Sequence, residues 1–224
     1  FGIFAPGVTQ LFPDGHIINL HPWEHNEVAP ALAAAMSTDV PIVALHLTRP
    51  PVEIPDRKKL GMASHLDASK GAYIIKDYDN EHEKKGVVIV RGTSSTSSVV
   101  QILDQLKKEN INVKIVAAIS WELYKNQSNE YRERIIGNSE WADSMIITNS
   151  ALKLMHNWTS NKIVENYSMS PDFDNKWRTG GSVDEIIAES KLDGVSIIKG
   201  IKKFANERSA RLDLIKKHLP LARV

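Results

Sequence analysis

The stretch that decides the fold runs from residue 86 to residue 136, GVVIVRGTSSTSSVVQILDQLKKENINVKIVAAISWELYKNQSNEYRERII. Gly86–Arg91 is a continuous apolar run that ends in a charge, the pattern of a buried strand. Ser97–Asn110 places Val99, Ile102, Leu103 and Leu106 on one helical face and leaves Lys107, Lys108 and Glu109 in solvent. Val113–Ile119 (VKIVAAI) is the next buried strand, apolar but for Lys114, and Asn129–Ile136 suits a short helix. A strand, a helix and a second strand in this order predict parallel pairing through a helical crossover.

The same alternation extends in both directions. Downstream, Asp143–Thr148 predicts a strand, Ala151–Trp158 a helix and Ile163–Tyr167 one further strand. Ser182–Glu189 opens with a capping box, Ser182 followed three residues later by Glu185. Gly194–Leu219 reads as one long terminal helix. Upstream, Gly71–Asp77 predicts a strand, and Pro50, Pro51 and Pro55 form a stiff linker. Before the linker, Pro41–Leu47 reads as a buried strand and the Ala-rich Asn26–Met36 as a helix. Residues 1–22 read as a loop with one short strand, His16–Leu20. The expected fold class is α/β, a three-layer sandwich with a mostly parallel, mixed sheet. Residues 1–55 are expected to close one domain and 56–224 to form another.

Composition narrows the function classes. The 224 residues carry a net charge of +1 and no Cys. There is therefore no bulk electrostatic case for nucleic acid or for an anionic membrane, and thiol chemistry and disulfides are excluded. No apolar run reaches the ~18 residues of a membrane span. The first residue is Phe1 and the opening lacks a basic signal-peptide region, so the chain reads as a fragment.

Several residues are candidates for chemistry. Thr93, Ser94 and Ser95 follow a strand and open a helix, where free N–H groups and hydroxyls can hold an anion. The alternative is a plain N-cap with Gly92 in the tight turn, since neither a P-loop ending nor a dinucleotide fingerprint is present. His21 and His25 flank Glu24, but Pro22 sets His21 outside the helix, and boundary histidines are expected there instead of a metal site. Trp121, Trp141, Trp158 and Trp177 read as core or interface aromatics. Arg49 ends a buried strand, placed either to grip a phosphate or to bridge a domain junction.

Residues 71–136 resemble the C-terminal domain of the transketolase family. KGAYIIKD is similar to that family's strand after the interdomain linker, and VVIVRGTSSTSSVVQILDQLKKENINVKIV to its next strand-helix-strand unit. Most specific is ISWELYKNQSNEYRERII: Ser120, Trp121, Glu122, Leu123, Tyr124, Gln127, Tyr131 and Arg132 match the family motif in type and spacing. INLHPWEHNEVAPAL and VPIVALHLTRPP are similar to the end of its pyrimidine-binding domain, although Pro50 replaces the usual Gln. SPDFDNKWRTGGS departs from the family's loop.

The resemblance implies a thiamine-diphosphate enzyme, with Mg (or Ca), that moves a two-carbon ketol unit between sugar phosphates. It implies that Arg49 contacts the substrate phosphate, and that the partners are the rest of the polypeptide and a second copy in a homodimer. A cytoplasmic location is expected. The family's diphosphate motif and activating glutamate are not visible, and neither Glu27 nor Glu53 falls in the right context. No catalytic, cofactor-binding or metal-binding residue is therefore expected in this chain, which is expected to be inert by itself. Two other classes stay open: a related thiamine enzyme (a keto-acid dehydrogenase β subunit or a deoxyxylulose-phosphate synthase) and a non-catalytic dimerisation module.

Overall fold

The computed structural model describes residues 4–48, 51–176, 178 and 180–218. Two short strands come first, β1 (Ile17–Leu20) and β2 (Ile42–Leu45), paired in parallel with Ile17 opposite Ile42 and Leu20 opposite Leu45. The connection between them is a 3-10 turn, His25–Glu27, followed by the helix Val28–Met36. The Glu24 side chain opens that turn by accepting from the Asn26 N–H at 2.7 Å.

The main sheet comprises β3 (Ala72–Lys76), β4 (Val87–Arg91), β5 (Lys114–Ala118) and β6 (Ser144–Thr148) in the order β3-β5-β4-β6. Strand β3 runs antiparallel to β5, and the other pairings are parallel. All residues of β4, β5 and β6 are buried, as strands covered on both faces must be. Alternate side chains divide between two cores. Val88, Val90, Ile115, Ala117, Met145 and Ile147 pack with Leu106, Ile197, Ile201 and Phe204. Val87, Ile89, Val116, Ala118 and Ile146 pack with Tyr124, Ile135, Met155 and Trp158. The expected three-layer sandwich with a mostly parallel, mixed sheet is therefore present. The first core continues into Ile18, Leu20, Trp23, Ala31 and Ala35 of the β1–β2 unit.

One glycine fixes the approach of these parts. Gly71 has φ of 82°, and a Cβ there would lie 2.3 Å from both the Ser120 carbonyl oxygen and the Tyr124 nitrogen. Its carbonyl accepts from the Ile119 and Ser120 N–H groups, both at 2.8 Å. A side chain at this position would push Ser120 away from β3.

Five expectations need correction, the first being the single helix expected at Ser97–Asn110, which begins at Thr93 and is broken at Ile102 into Thr93–Gln101 and Leu103–Lys108. The strand expected at Ile163–Tyr167 is a helix, Lys162–Tyr167, because the Asn161 side chain accepts from the Val164 N–H at 3.0 Å and caps it. The opening loop contains a helical turn, Phe4–Thr9. Ala151–Trp158 forms a 3-10 run at Leu152–Trp158, kinked at Met155. The long terminal helix divides at Glu207 into Gly194–Asn206 and Arg208–His218, and Leu219 lies outside the described residues. The capping box at Ser182 and Glu185 is present, with Oγ accepting from the Glu185 N–H at 3.3 Å and Glu185 accepting in return from the Ser182 N–H at 2.8 Å. Among the described residues no helix is long and apolar enough to cross a membrane.

Candidate functional site

The carboxyl ends of both sheets meet. His21 follows β1, His46 follows β2, Arg91 ends β4, and Ile119–Ser120 follow β5. Backbone hydrogen bonds fix this junction: His21 N–H donates to the Ile119 carbonyl at 2.8 Å, and His46 N–H to the Leu20 carbonyl at 2.9 Å. The parallel register that sets Leu20 against Leu45 brings the next residues together as well. The two imidazoles stack with centroids 4.4 Å apart.

Glu122 organises the polar floor. Its carboxylate accepts from the Asn19 amide N–H at 3.2 Å, from Asn19 Nδ2 at 3.2 Å and from Ser120 Oγ at 3.1 Å. Asn19 Oδ1 lies 3.2 Å from His46 Nε2. Glu122, Asn19, Ser120, His21 and Arg91, with Gln10, Asn157 and two tryptophans, line a small cleft. Trp121 and Trp158 form its aromatic wall, edge to face at 5.3 Å, with Tyr124 stacked on Trp158 at 5.4 Å. The expectation of core aromatics therefore holds for Trp158, and Trp121 also faces the cleft; Trp177 lies outside the described residues.

The histidines carry a pH dependence. Burial pushes His21 well below the usual imidazole range, and the Arg91 charge and the His46 ring push it further down. His46 is lowered as well, by burial and by Arg91, against the pull of Glu122. In the fold both rings therefore favour the neutral form. Since the folded pKa lies below the unfolded value of about 6.5, this stabilisation is complete above pH about 6.5 and is lost as pH falls towards the folded value. For His21 alone, stability should fall by up to about 1.4 kcal/mol per pH unit in that window. Urea midpoints of wild type and His21→Gln at pH about 7 and about 5 check this. An undiminished slope in the variant would show that His21 is not its source.

A second polar cluster lies behind the first, on the proline-rich linker. Arg57 Nη2 contacts Glu24 at 2.9 Å, Glu27 at 2.7 Å and the Tyr73 hydroxyl at 3.3 Å, and Nη1 donates to the Ala63 carbonyl at 3.1 Å. Tyr73 donates to Glu27 and accepts from Trp23 Nε1 at 2.7 Å. Burial raises the Glu27 carboxyl, against the Tyr73 hydroxyl, the Trp23 amide and Arg57, which lower it. This cluster ties β1 and the helix after it to β3; its charges are paired with one another, while Arg57 Nε has no hydrogen-bond partner among the described residues.

The sequence candidates fare unevenly. Arg49 lies outside the described residues. Thr93 and Ser95 are buried and Ser94 is half-buried, but none of the three lines the cleft, where Arg91 stands instead. His25 is exposed, while His21, expected at a boundary, is buried against His46; Glu24 is committed to Arg57. Among the described residues no group of three or more His, Asp or Glu side chains is disposed to hold a metal ion. Sequence reasoning missed Arg91 and Arg57. The signal available for Arg91 was a charge that ends an otherwise apolar parallel strand, the place where α/β sheets gather ligands.

Fold and cleft together define a three-layer α/β domain with a polar crevice at its strand ends, joined to a smaller parallel unit. Residues 71–169 match the transketolase-like TK C-terminal domain. The chain is similar to the chloroplastic transketolase of Zea mays, 34% identical over 128 residues that make up 54% of this chain and 17% of the maize protein. Among solved structures it is similar to a Pichia stipitis transketolase in complex with sedoheptulose 7-phosphate, with a TM-score of 0.69 and 16% identity over 96% of this chain and 28% of that one. A split-gene transketolase, an inactive β4 tetramer, has a TM-score of 0.58 and 13% identity, covering 92% of this chain and 63% of that one. The chain thus spans 17% of the maize relative's length.

Proposed function

We propose that this chain is the C-terminal portion of a transketolase-type enzyme that transfers a two-carbon ketol unit between sugar phosphates, and that it is inert by itself. On this reading residues 1–55 close a pyrimidine-binding domain and 56–224 form the C-terminal domain. Thiamine diphosphate, with its metal, supplies the carbanion chemistry in the complete enzyme. The described residues offer no metal cluster for it, so no step through that cofactor is assigned to them. Arg49 is the substrate-phosphate contact on this reading, and the whole works as a homodimer in the cytoplasm.

The observation that carries the proposal is the half-built state of the small unit, attached to a family-matched domain. β1 is buried throughout, whereas β2 is exposed at Ile42 and half-buried beyond it, and Met36 and Leu47 beside it are 71% and 60% exposed. Parallel sheets are stable when covered on both faces and flanked by further strands, so a two-stranded parallel sheet calls for more sheet beside it. The same polypeptide or a separate chain would supply it. The likeness to a split-gene transketolase supports a separate chain.

The test is an assay of the purified chain with a ketose phosphate, an aldose phosphate, thiamine diphosphate and magnesium, run beside the assembly immunoprecipitated from its native source. Ketol transfer is expected in the native assembly and none in the chain alone. Turnover by the chain alone would overturn the reading, as would an active native assembly of this chain only. The mass of the endogenous polypeptide, set against 25.0 kDa, separates a single long chain from a split pair.

A further inference from the structure

Arg91 is 4% exposed, yet its Nε and Nη2 have no hydrogen-bond partner among the described residues. A guanidinium carries five N–H donors and no acceptor, and a buried one is normally met by a carboxylate or a set of carbonyls. Here β4 carries it to the cleft and leaves it there. The carboxylate that shares the cleft is Glu122, whose oxygens are occupied by Asn19 and Ser120 and which forms no ion pair with Arg91. His21, beside it, is held neutral and so adds no second positive charge. Burial lowers the guanidinium to about 10, which leaves it charged at neutral pH. The other buried arginines differ in having a carboxylate: Arg57, whose Nε is also unpaired, meets Glu24 and Glu27, and Arg211 of the terminal helix meets Asp143.

The cleft is also sized for a small group. Its volume is about 20 Å³, room for one water or for the oxygen end of a group that enters from solvent. Neutral imidazole retains one N–H donor at His21, and Asn157 stands at the rim. Trp121 and Trp158 close the opposite wall.

We propose that this cleft is a binding site for a small oxyanion, a phosphate or carboxylate group, that places its oxygens against Nε and Nη2 of Arg91. A planar guanidinium edge presents two parallel N–H bonds to such a group, which a lysine cannot do. The site lies at the carboxyl ends of β1, β4 and β5. It rests on Arg91 and does not depend on the transketolase reading.

Trp121 and Trp158 provide the readout, since both line the cleft. Tryptophan fluorescence of the full chain is titrated with inorganic phosphate and separately with acetate, at constant ionic strength set by chloride. A saturable change with wild type is expected for at least one of the two. Arg91→Met should weaken it at least tenfold, and Arg91→Lys, which keeps the charge but loses the fork, should weaken it several-fold. Saturation by phosphate alone identifies a phosphoryl group, by acetate alone a carboxylate, and by both the shared fork; each supports the site. No saturable change with either anion overturns it, and so does an equal response in wild type and Arg91→Met. Should Arg91→Met fail to fold, Arg91→Lys carries the comparison, and undiminished binding by it overturns the bidentate assignment.

Discussion

Replacing Arg57 with Met should destabilise the protein by about 3–5 kcal/mol, because removing one partner of a buried ion cluster leaves the others charged and uncompensated. Glu24 and Glu27 are 4% and 0% exposed. Without the guanidinium they become two neighbouring buried carboxylates whose remaining partners are neutral: the Tyr73 hydroxyl and the Trp23 and Asn26 amides. Arg57 also stacks over Trp23 and Tyr73, 5.6 and 5.3 Å from the ring centroids, and Met retains part of that apolar contact. The loss is therefore electrostatic in origin, and it should depend on pH in a definite direction. Glu27 is already raised in the wild type, and losing Arg57 raises it further. The variant's folded state then favours a bound proton, so its deficit against wild type should narrow as pH falls from about 7 to about 5. Adding Glu27→Gln to Arg57→Met should recover part of the loss by removing one of the stranded charges. Urea denaturation of the four members of this cycle measures it; a deficit under about 1 kcal/mol at neutral pH, or one that widens in acid, would refute the account.

The legible part of the fold was the part governed by apolar runs. Strands β4, β5 and β6 are apolar or small apart from Lys114 and Arg91 at strand ends, because both faces are covered, and each was bounded within a residue or two. Where two signals compete in a short segment, the sequence is ambiguous. Ile163 and Val164 are β-branched and suggest a strand, yet one side-chain hydrogen bond from Asn161 turns the segment into a helix. The break at Glu207 lacks Gly or Pro to announce it. It follows from a change of partner, as the apolar face of Gly194–Asn206 gives way to Arg208 and Arg211 reaching for Asp143. The site was harder still. The His21–His46 stack is a consequence of strand register, which no local pattern encodes. Arg57 stands in a proline-rich stretch that resembles a solvated linker, and only Trp23 and Tyr73 closing over it make it a core residue. Hydroxyls at a helix start are legible as anion donors, and buried unpaired donors occur both there, at Ser95 Oγ, and at Arg91 just before it, where only the fold shows that the guanidinium lacks a counter-charge.

Asp143 should prove as sensitive as Arg57, with the sign of the stranded charge reversed. It sits where β6 begins and is 5% exposed. One carboxylate oxygen accepts from Arg211 Nε at 2.9 Å and Nη2 at 2.6 Å, and the other from Arg208 Nε at 2.6 Å. Arg211 is 0% exposed and lies over the Phe204 ring at 3.6 Å; its remaining donors reach the Phe204 and Lys85 carbonyls. Asp143→Ala leaves this guanidinium buried with carbonyls and rings but no counter-charge, a loss of about 3–5 kcal/mol. Arg208 contributes less, since it is partly exposed and has Glu83 as a second partner. The damage should be local before it is global. Arg208–His218 packs on the domain through Arg211, so its amides should lose hydrogen-exchange protection under conditions where β4 and β5 keep theirs. Asp143→Ala combined with Arg211→Met removes both charges and should be more stable than Asp143→Ala alone, because an apolar pair of similar volume replaces the stranded ion. If the double variant were the weaker of the two, packing around Arg211 and not its charge would be what holds the terminal helix.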